Sequence, residues 1–240
     1  MVNIDTVYQR VLAFDNKEHR GYITPQEFNL FANQAQLEIF EQYFYDLNQA
    51  RKVQGNDTVV ADIDDMIEQK LNIFEVTPKT TTVNTYATAT GGGKVLPDEV
   101  YRVSYVALKL GDGAECEVLS AKDFINNKRS PLTKPSVARP IATLQGRILK
   151  CNDGGTNDIA PYALVYIRTP KKVNWTYVVV NKRAMYNALP QTGNFELHES
   201  EEIQLVNKIL RLAGLSTQQP DVMRAGGAME SVIKQEQSKI

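Results

Sequence analysis

The sequence predicts an α+β fold: an N-terminal helical bundle built on a long helix, a β-rich insertion in the middle, and C-terminal helices that rejoin the bundle. Three observations predict it. Apolar residues recur at helical spacing from Ile4 to about Leu71. From Val76 the period shortens, and alternating β-branched segments punctuated by Gly, Pro and Asp run to about Val180. Helical spacing then returns at Ile203. The expected division is residues 1–73 helical, 74–190 a β-rich insertion domain, and 191–240 C-terminal helices with a docking tail.

Ile4, Val7, Tyr8, Val11 and Leu12 form the apolar stripe of a first short helix. The stretch after it, Asn16 to Glu27, reads two ways. As a calcium loop with Asn16 at position 1, Gly21 takes the sharp turn and Glu27 the bidentate position. As a helix start, Thr24 is the N-cap, Pro25 the first helical residue, and Glu27 closes a capping box. Ligand chemistry favours the helix start, because Arg20 occupies a ligand position and a guanidinium cannot coordinate a cation. Pro25 also falls inside the loop, and no second copy of the motif follows. The helix from Pro25 to about Arg51 is about 40 Å long. It carries two apolar stripes, one through Phe28, Phe31, Ala32, Ala35 and Ile39, the other through Leu37, Phe40 and Phe44. Two such faces call for more than one neighbour. Val59, Val60, Ile63, Ile67 and Leu71 predict a third helix, in which Asp62, Asp64 and Asp65 form a solvated acidic face rather than a metal site.

Val76 to Thr90 is Thr-rich and reads as an exposed strand or hairpin arm. Gly91-Gly92-Gly93 lacks the strand, helix and Lys-Ser/Thr pair of a phosphate loop, so it is a turn. Val100–Leu110 alternates and is expected to form a hairpin with Glu115–Leu119 across Gly111-Asp112-Gly113. Ser120 to Asp123 opens a short capped helix ending near Asn127, and the three prolines between Ser130 and Pro140 mark a loop. Ile141–Leu144 and Arg147–Cys151 flank Gln145-Gly146 as a second hairpin; Tyr162–Arg168 is a further strand, and Trp175–Val180 a strand or connecting loop. His198 to Glu202 places a cap and acids at a helix start, followed by Ile203, Val206, Ile209, Leu210 and Ala213. A last helix from Pro220 to about Gln235 is weakened by Gly226-Gly227 and is expected to order against a partner.

Hydrophobic and charged shares of 42% and 23% are those of an ordinary globular chain. No apolar run reaches the roughly 18 residues of a membrane helix, and the N-terminus is not expected to be a signal peptide. Residues 94–183 hold 15 Lys and Arg against 8 Asp and Glu, so a basic middle lies between acidic ends although the whole carries only -1. Such asymmetry suits a nucleic-acid face or a partner interface. Cys116 and Cys151 sit in no metal spacing and are expected to be free thiols. His19 and His198 read as surface residues, and no nucleophile, dinucleotide or zinc motif is present. The expectation is a protein without enzymatic activity, cofactor or metal.

Several segments then resemble one family. Gly21-Tyr22-Ile23-Thr24-Pro25-Gln26-Glu27-Phe28-Asn29, with Ala35-Gln36 and Phe40, is similar to the N-terminal helix of tailed-phage virion structural proteins. Leu96-Pro97-Asp98-Glu99-Val100-Tyr101-Arg102-Val103, Leu119-Ser120-Ala121-Lys122-Asp123-Phe124, Arg139-Pro140-Ile141-Ala142, Arg147-Ile148-Leu149 and Tyr166-Ile167-Arg168-Thr169-Pro170 resemble the β insertion of phage head-to-tail adaptor, or connector, proteins. Leu197–Gly214 and the helix after it match the same layout. The resemblance implies a neck ring of about twelve copies beneath the portal, between capsid and tail, with helices packed side by side around a channel. It implies contacts with the portal protein and a tail-side ring protein, and a channel through which genomic DNA passes without sequence specificity. It implies location in the virion neck, with assembly in the host cytoplasm. Under it, ring contacts fall to Phe31, Phe40 and Phe44, and portal contacts to Val222, Met229, Val232 and Ile233. A stopper or tail-hub component, and an accessory enzyme, are the alternative readings.

Overall fold

The computed structural model describes residues 1–17, 23–50, 58–78, 83, 86–89, 92–108, 115–155, 163–181, 183–189, 193–216 and 231. Among them are five helices: α1 (Ile4–Lys17), α2 (Pro25–Ala50), α3 (Thr58–Leu71), α4 (Ala121–Arg129) and α5 (Glu202–Ser216). Nine strands accompany them: β1 (Glu75–Val76), β2 (Lys94–Val95), β3 (Val100–Ala107), β4 (Glu117–Leu119), β5 (Ile141–Gln145), β6 (Ile148–Asn152), β7 (Ala163–Arg168), β8 (Tyr177–Val180) and β9 (Arg183–Tyr186). The chain divides into two compact units, Met1–Ile73 with Pro170–Ile240, and Phe74–Thr169.

In the first unit, local chemistry sets the helix starts. Asn3 receives the Asp5 and Thr6 amides and caps α1. Thr24 and Glu27 form the expected capping box at α2: the Thr24 amide donates to Glu27 Oε2 at 3.0 Å, and the Glu27 amide returns to Thr24 Oγ1 at 3.3 Å. Ile4, Val7, Tyr8 and Val11 of α1 are buried, as are Phe28, Ala32, Ala35, Ile39, Phe40, Tyr43 and Leu47 of α2. Helix α5 packs on both α1 and α2, and every residue from Gln204 to Leu210 is buried.

An N-terminal helical bundle with β structure confined to an insertion is not what these helices form. The extended segment Lys171–Trp175, the β8–β9 hairpin and Phe195–Leu197 belong to the same unit, and Val173, Trp175, Phe195 and Leu197 are part of its core. The physical reason lies on α2. Asn29, Asn33 and Gln36 point amides at the segment, and an amide pairs with the exposed backbone of an extended chain, not with a helix whose backbone groups are already paired. Residues 170–190, expected in the β insertion, lie in this first unit. Of the helix expected from Pro220 to about Gln235, Ser231 alone is among the described residues, and it is helical and exposed.

The second unit holds two sheets. One is antiparallel, in the order β1-β7-β3, and the other runs β2-β6-β5-β4. Val106, Leu164 and Tyr166 from the first join Ala142, Leu149 and Cys151 from the second in one apolar core. Gly146, at φ 61°, turns the expected β5–β6 hairpin. The expected hairpin between Val100–Leu110 and Glu115–Leu119 is reduced to the bridge Ala107–Glu115. Beyond it, β4 leaves and pairs in parallel with β5, joined by the crossover helix α4. That helix is anchored by buried Phe124 and capped by Ser120, which accepts the Asp123 amide.

Candidate interaction surfaces

Helix α2 holds the Lys171–Trp175 segment as a neighbouring strand would. Asn33 Oδ1 accepts the Val173 amide at 2.9 Å while its Nδ2 donates to the Val173 carbonyl at 3.0 Å. Asn29 repeats the arrangement on Trp175, at 2.7 and 3.3 Å. Gln36 Nε2 donates to the Lys171 carbonyl, and Gln36 Oε1 accepts the Glu196 amide. The match is metric: two strand residues span about 6.7 Å and one i, i+4 step on a helix about 6 Å. This fixes Trp175, whose indole donates to Asp5 Oδ1 at 3.0 Å and whose ring lies 4.1 Å from that of Tyr8. Tyr177 and Tyr186 in turn rest on Trp175, at 5.7 and 6.0 Å between centroids. The hairpin β8–β9 is thereby rooted at one end, and it exposes Val178, Val179, Val180 and Met185.

The three expected ring-contact residues do not form one exposed face. Phe40 is fully buried; Phe31 and Phe44 are half-buried, and Phe44 meets Phe40 edge-on at 5.1 Å. The apolar residues that α2 exposes are Leu30, Leu37 and Tyr45, with Gln34 and Glu41 between them. Their i, i+7, i+15 spacing was available in the sequence, but the helix is apolar on so many positions that no single stripe stood out. Val222, Met229, Val232 and Ile233, the expected portal contacts, lie outside the described residues.

Buried charges sit where α2, α3 and α5 meet. Glu201, buried, takes Lys70 Nζ at 2.5 Å, and the Lys70 ammonium lies 5.7 Å from the centre of the Tyr43 ring. Burial, then the Glu201 and Asp46 charges, push the Tyr43 phenol well above its ordinary range, so it stays neutral. Glu38 meets Arg211 at 3.0 Å and the buried Lys208 at 3.6 Å. These pairs tie α3 and α2 to the start and body of α5.

Several other polar residues singled out by the sequence have structural partners. His198 Nδ1 accepts the Ser200 amide as a helix cap, while His19 lies outside the described residues. Cys116 and Cys151 are buried thiols not joined in a disulfide; a hydrogen bond from Cys151 draws the Cys116 thiol below its ordinary value, against the opposing effect of burial. Glu27 spends Oε2 on the Thr24 cap, while Glu18 to Tyr22 of the calcium-loop reading lie outside the described residues. No group of three His, Cys, Asp or Glu side chains able to hold a metal occurs among the described residues. No described helix is long and apolar enough to cross a membrane. Compared with known proteins, the sequence matches no family model and no curated protein.

Proposed function

We propose that the chain is a virion structural protein, a subunit of the head-to-tail adaptor ring beneath the portal of a tailed phage. The observation that carries this reading is the second apolar face of α2. After one face is buried inside the chain, Leu30, Leu37 and Tyr45 still line its outside over about 22 Å. A long helix with a spare apolar stripe suits side-by-side packing of copies. The rooted β8–β9 hairpin, with three consecutive exposed valines, offers a second surface for a neighbouring ring. Both features accompany the sequence resemblance to connector proteins. Portal and tail-side ring proteins are the partners this reading calls for, with DNA passing through the channel.

Fractionation of intact particles tests it. The protein co-sediments with virions at a fixed copy number, and an average of the neck places it in a ring next to the portal. A position further along the tail would reassign it to a stopper or tail-hub component. Absence from purified particles would overturn the reading.

A further inference from the structure

Helix α4 and the loop after it form a rigid, basic and partly apolar projection. From Lys122 to Arg139 there are five cations and one anion, and Asp123 is engaged by the Ser120 hydroxyl at 2.7 Å. Lys122, Ile125 and Arg129 share the exposed face of α4, at i, i+3 and i+7. The loop is internally tied. Thr133 bonds Ser130 and Asn127, and Ser136 and Arg139 exchange both backbone hydrogen bonds around Val137-Ala138. Pro135 and Pro140 are buried as its two anchors. On this frame Leu132 is 93% exposed and Val137 72%, beside the exposed Lys134. An apolar tip held out by a fixed loop is a surface shaped for contact.

The outer face of α2 has the opposite sign. The helix carries no Lys or Arg; Glu27 is engaged in the Thr24 cap and Glu38 with Arg211 and Lys208, and Glu41 is the acid exposed on the outer face. Leu30 is 66% exposed and Tyr45 63%, and the exposed Glu41 lies between Leu37 and Tyr45.

We infer that these two surfaces bind each other between copies: the α4 loop of one chain seats Leu132 and Val137 on the Leu30–Leu37–Tyr45 stripe of the next, with Lys134 and Arg129 on the side of its exposed Glu41. The inference rests on the ring reading and names its contact. Charge and apolar character are complementary, and the two patches differ, so the contact is heterologous and repeats from copy to copy, as a ring requires. The exposed leucine and valine favour a protein partner over a nucleic-acid backbone, which would leave them without apolar contact.

Sedimentation velocity at low ionic strength tests it with the full chain, Leu37→Asp, Leu132→Asp and an equal mixture of the two. Both positions are exposed, so circular dichroism and thermal unfolding stay as in the wild type. The wild type forms concentration-dependent oligomers larger than a dimer, and high salt dissolves them. Each variant alone is monomeric. The mixture forms dimers and nothing larger, because one intact surface of each kind remains. Wild-type rings that both substitutions leave intact would overturn this contact while sparing the ring reading. A wild type that stays monomeric at the highest concentration overturns the contact, and the particle fractionation above then decides the ring reading by itself. Binding of duplex DNA that Lys134→Glu abolishes, with no self-association to lose, would assign the loop to nucleic acid and overturn the inference.

Discussion

Asn33 and Val173, 140 residues apart, are joined by two hydrogen bonds that satisfy both backbone groups of Val173 at once. The pair ties the middle of α2 to the segment that carries Trp175 and, beyond it, the β8–β9 hairpin. Asn33→Ala leaves an amide and a carbonyl without their partner. The site is only partly buried, so water replaces some of the loss, and the cost is about 1–2 kcal/mol. Urea unfolding is expected to show a lower midpoint with an unchanged slope. Native-state hydrogen exchange is expected to quicken most in β8 and β9. Unchanged exchange there would mean that Trp175 alone roots the hairpin.

The capping box gives a prediction with a pH sign. The Thr24 hydroxyl, then its backbone amide, hold the Glu27 carboxyl below its ordinary value of 4.5. Folding lowers this value, so the carboxylate's contribution is complete above the unfolded-state value. It is lost as pH falls through the lower folded-state value. Glu27→Gln is therefore expected to lose stability at neutral pH and to show a shallower acid limb in thermal melts. Thr24→Ala costs about 1 kcal/mol at neutral pH. Calcium and chelator give the same melting temperature under this reading; a rise of several degrees with calcium would restore the metal loop.

Lys70 and Glu201 supply a third test. Removing the lysine leaves a carboxylate whose side chain is only 6% exposed, while the Lys70 side chain is 23% exposed. Loss of one partner of a fully buried pair costs about 3–5 kcal/mol; the partial exposure of Lys70 reduces this to about 2 kcal/mol for Lys70→Met. Lys70→Met with Glu201→Leu removes both charges and is expected to recover most of the loss. A double variant no more stable than Lys70→Met would show that Glu201 matters for more than its pairing, through its place at the start of α5.

Local chemistry was legible in the sequence, and long-range pairing was not. The Thr24–Glu27 box, the Ser120 cap and the Gln145-Gly146 turn each lie within four residues, and the structure holds all three. The helical spacing of Ile4, Val7, Tyr8 and Val11 likewise corresponds to buried residues. By contrast, β4 looked like the return strand of a hairpin because a glycine turn precedes it. Its true partner, β5, is reached only through α4, and nothing in the period-2 pattern of three residues specifies a parallel neighbour. Asn29, Asn33 and Gln36 read as ordinary polar positions on a helix. Their role depends on an extended segment some 140 residues away. On α2, helical spacing places Phe40 and Leu37 in one stripe, yet Phe40 is buried and Leu37 is exposed. When two adjacent faces are apolar, composition cannot say which one the rest of the chain covers.

Two glycines at positive φ separate backbone strain from steric conflict, and they bear on the α4 loop. Gly146 (φ +61°) has nothing within 4 Å of an added Cβ, so Gly146→Ala pays only the left-handed backbone cost of about 1 kcal/mol. Gly154 (φ +98°) would place a Cβ 2.4 Å from the Pro135 carbonyl oxygen. Neither atom belongs to a flexible side chain, so the backbone of one strand end or of the loop must shift. Gly154→Ala is therefore expected to cost about 2–3 kcal/mol, more than its counterpart, as strain at a disallowed φ adds to the collision. Pro135 anchors the loop that displays Leu132 and Val137. The displacement is expected to weaken self-association measured by sedimentation velocity under conditions where the folded fraction remains complete. Gly146→Ala, on the β5–β6 turn, is expected to leave self-association unchanged. Equal association by both variants would show that the loop's position at Pro135 does not set the contact.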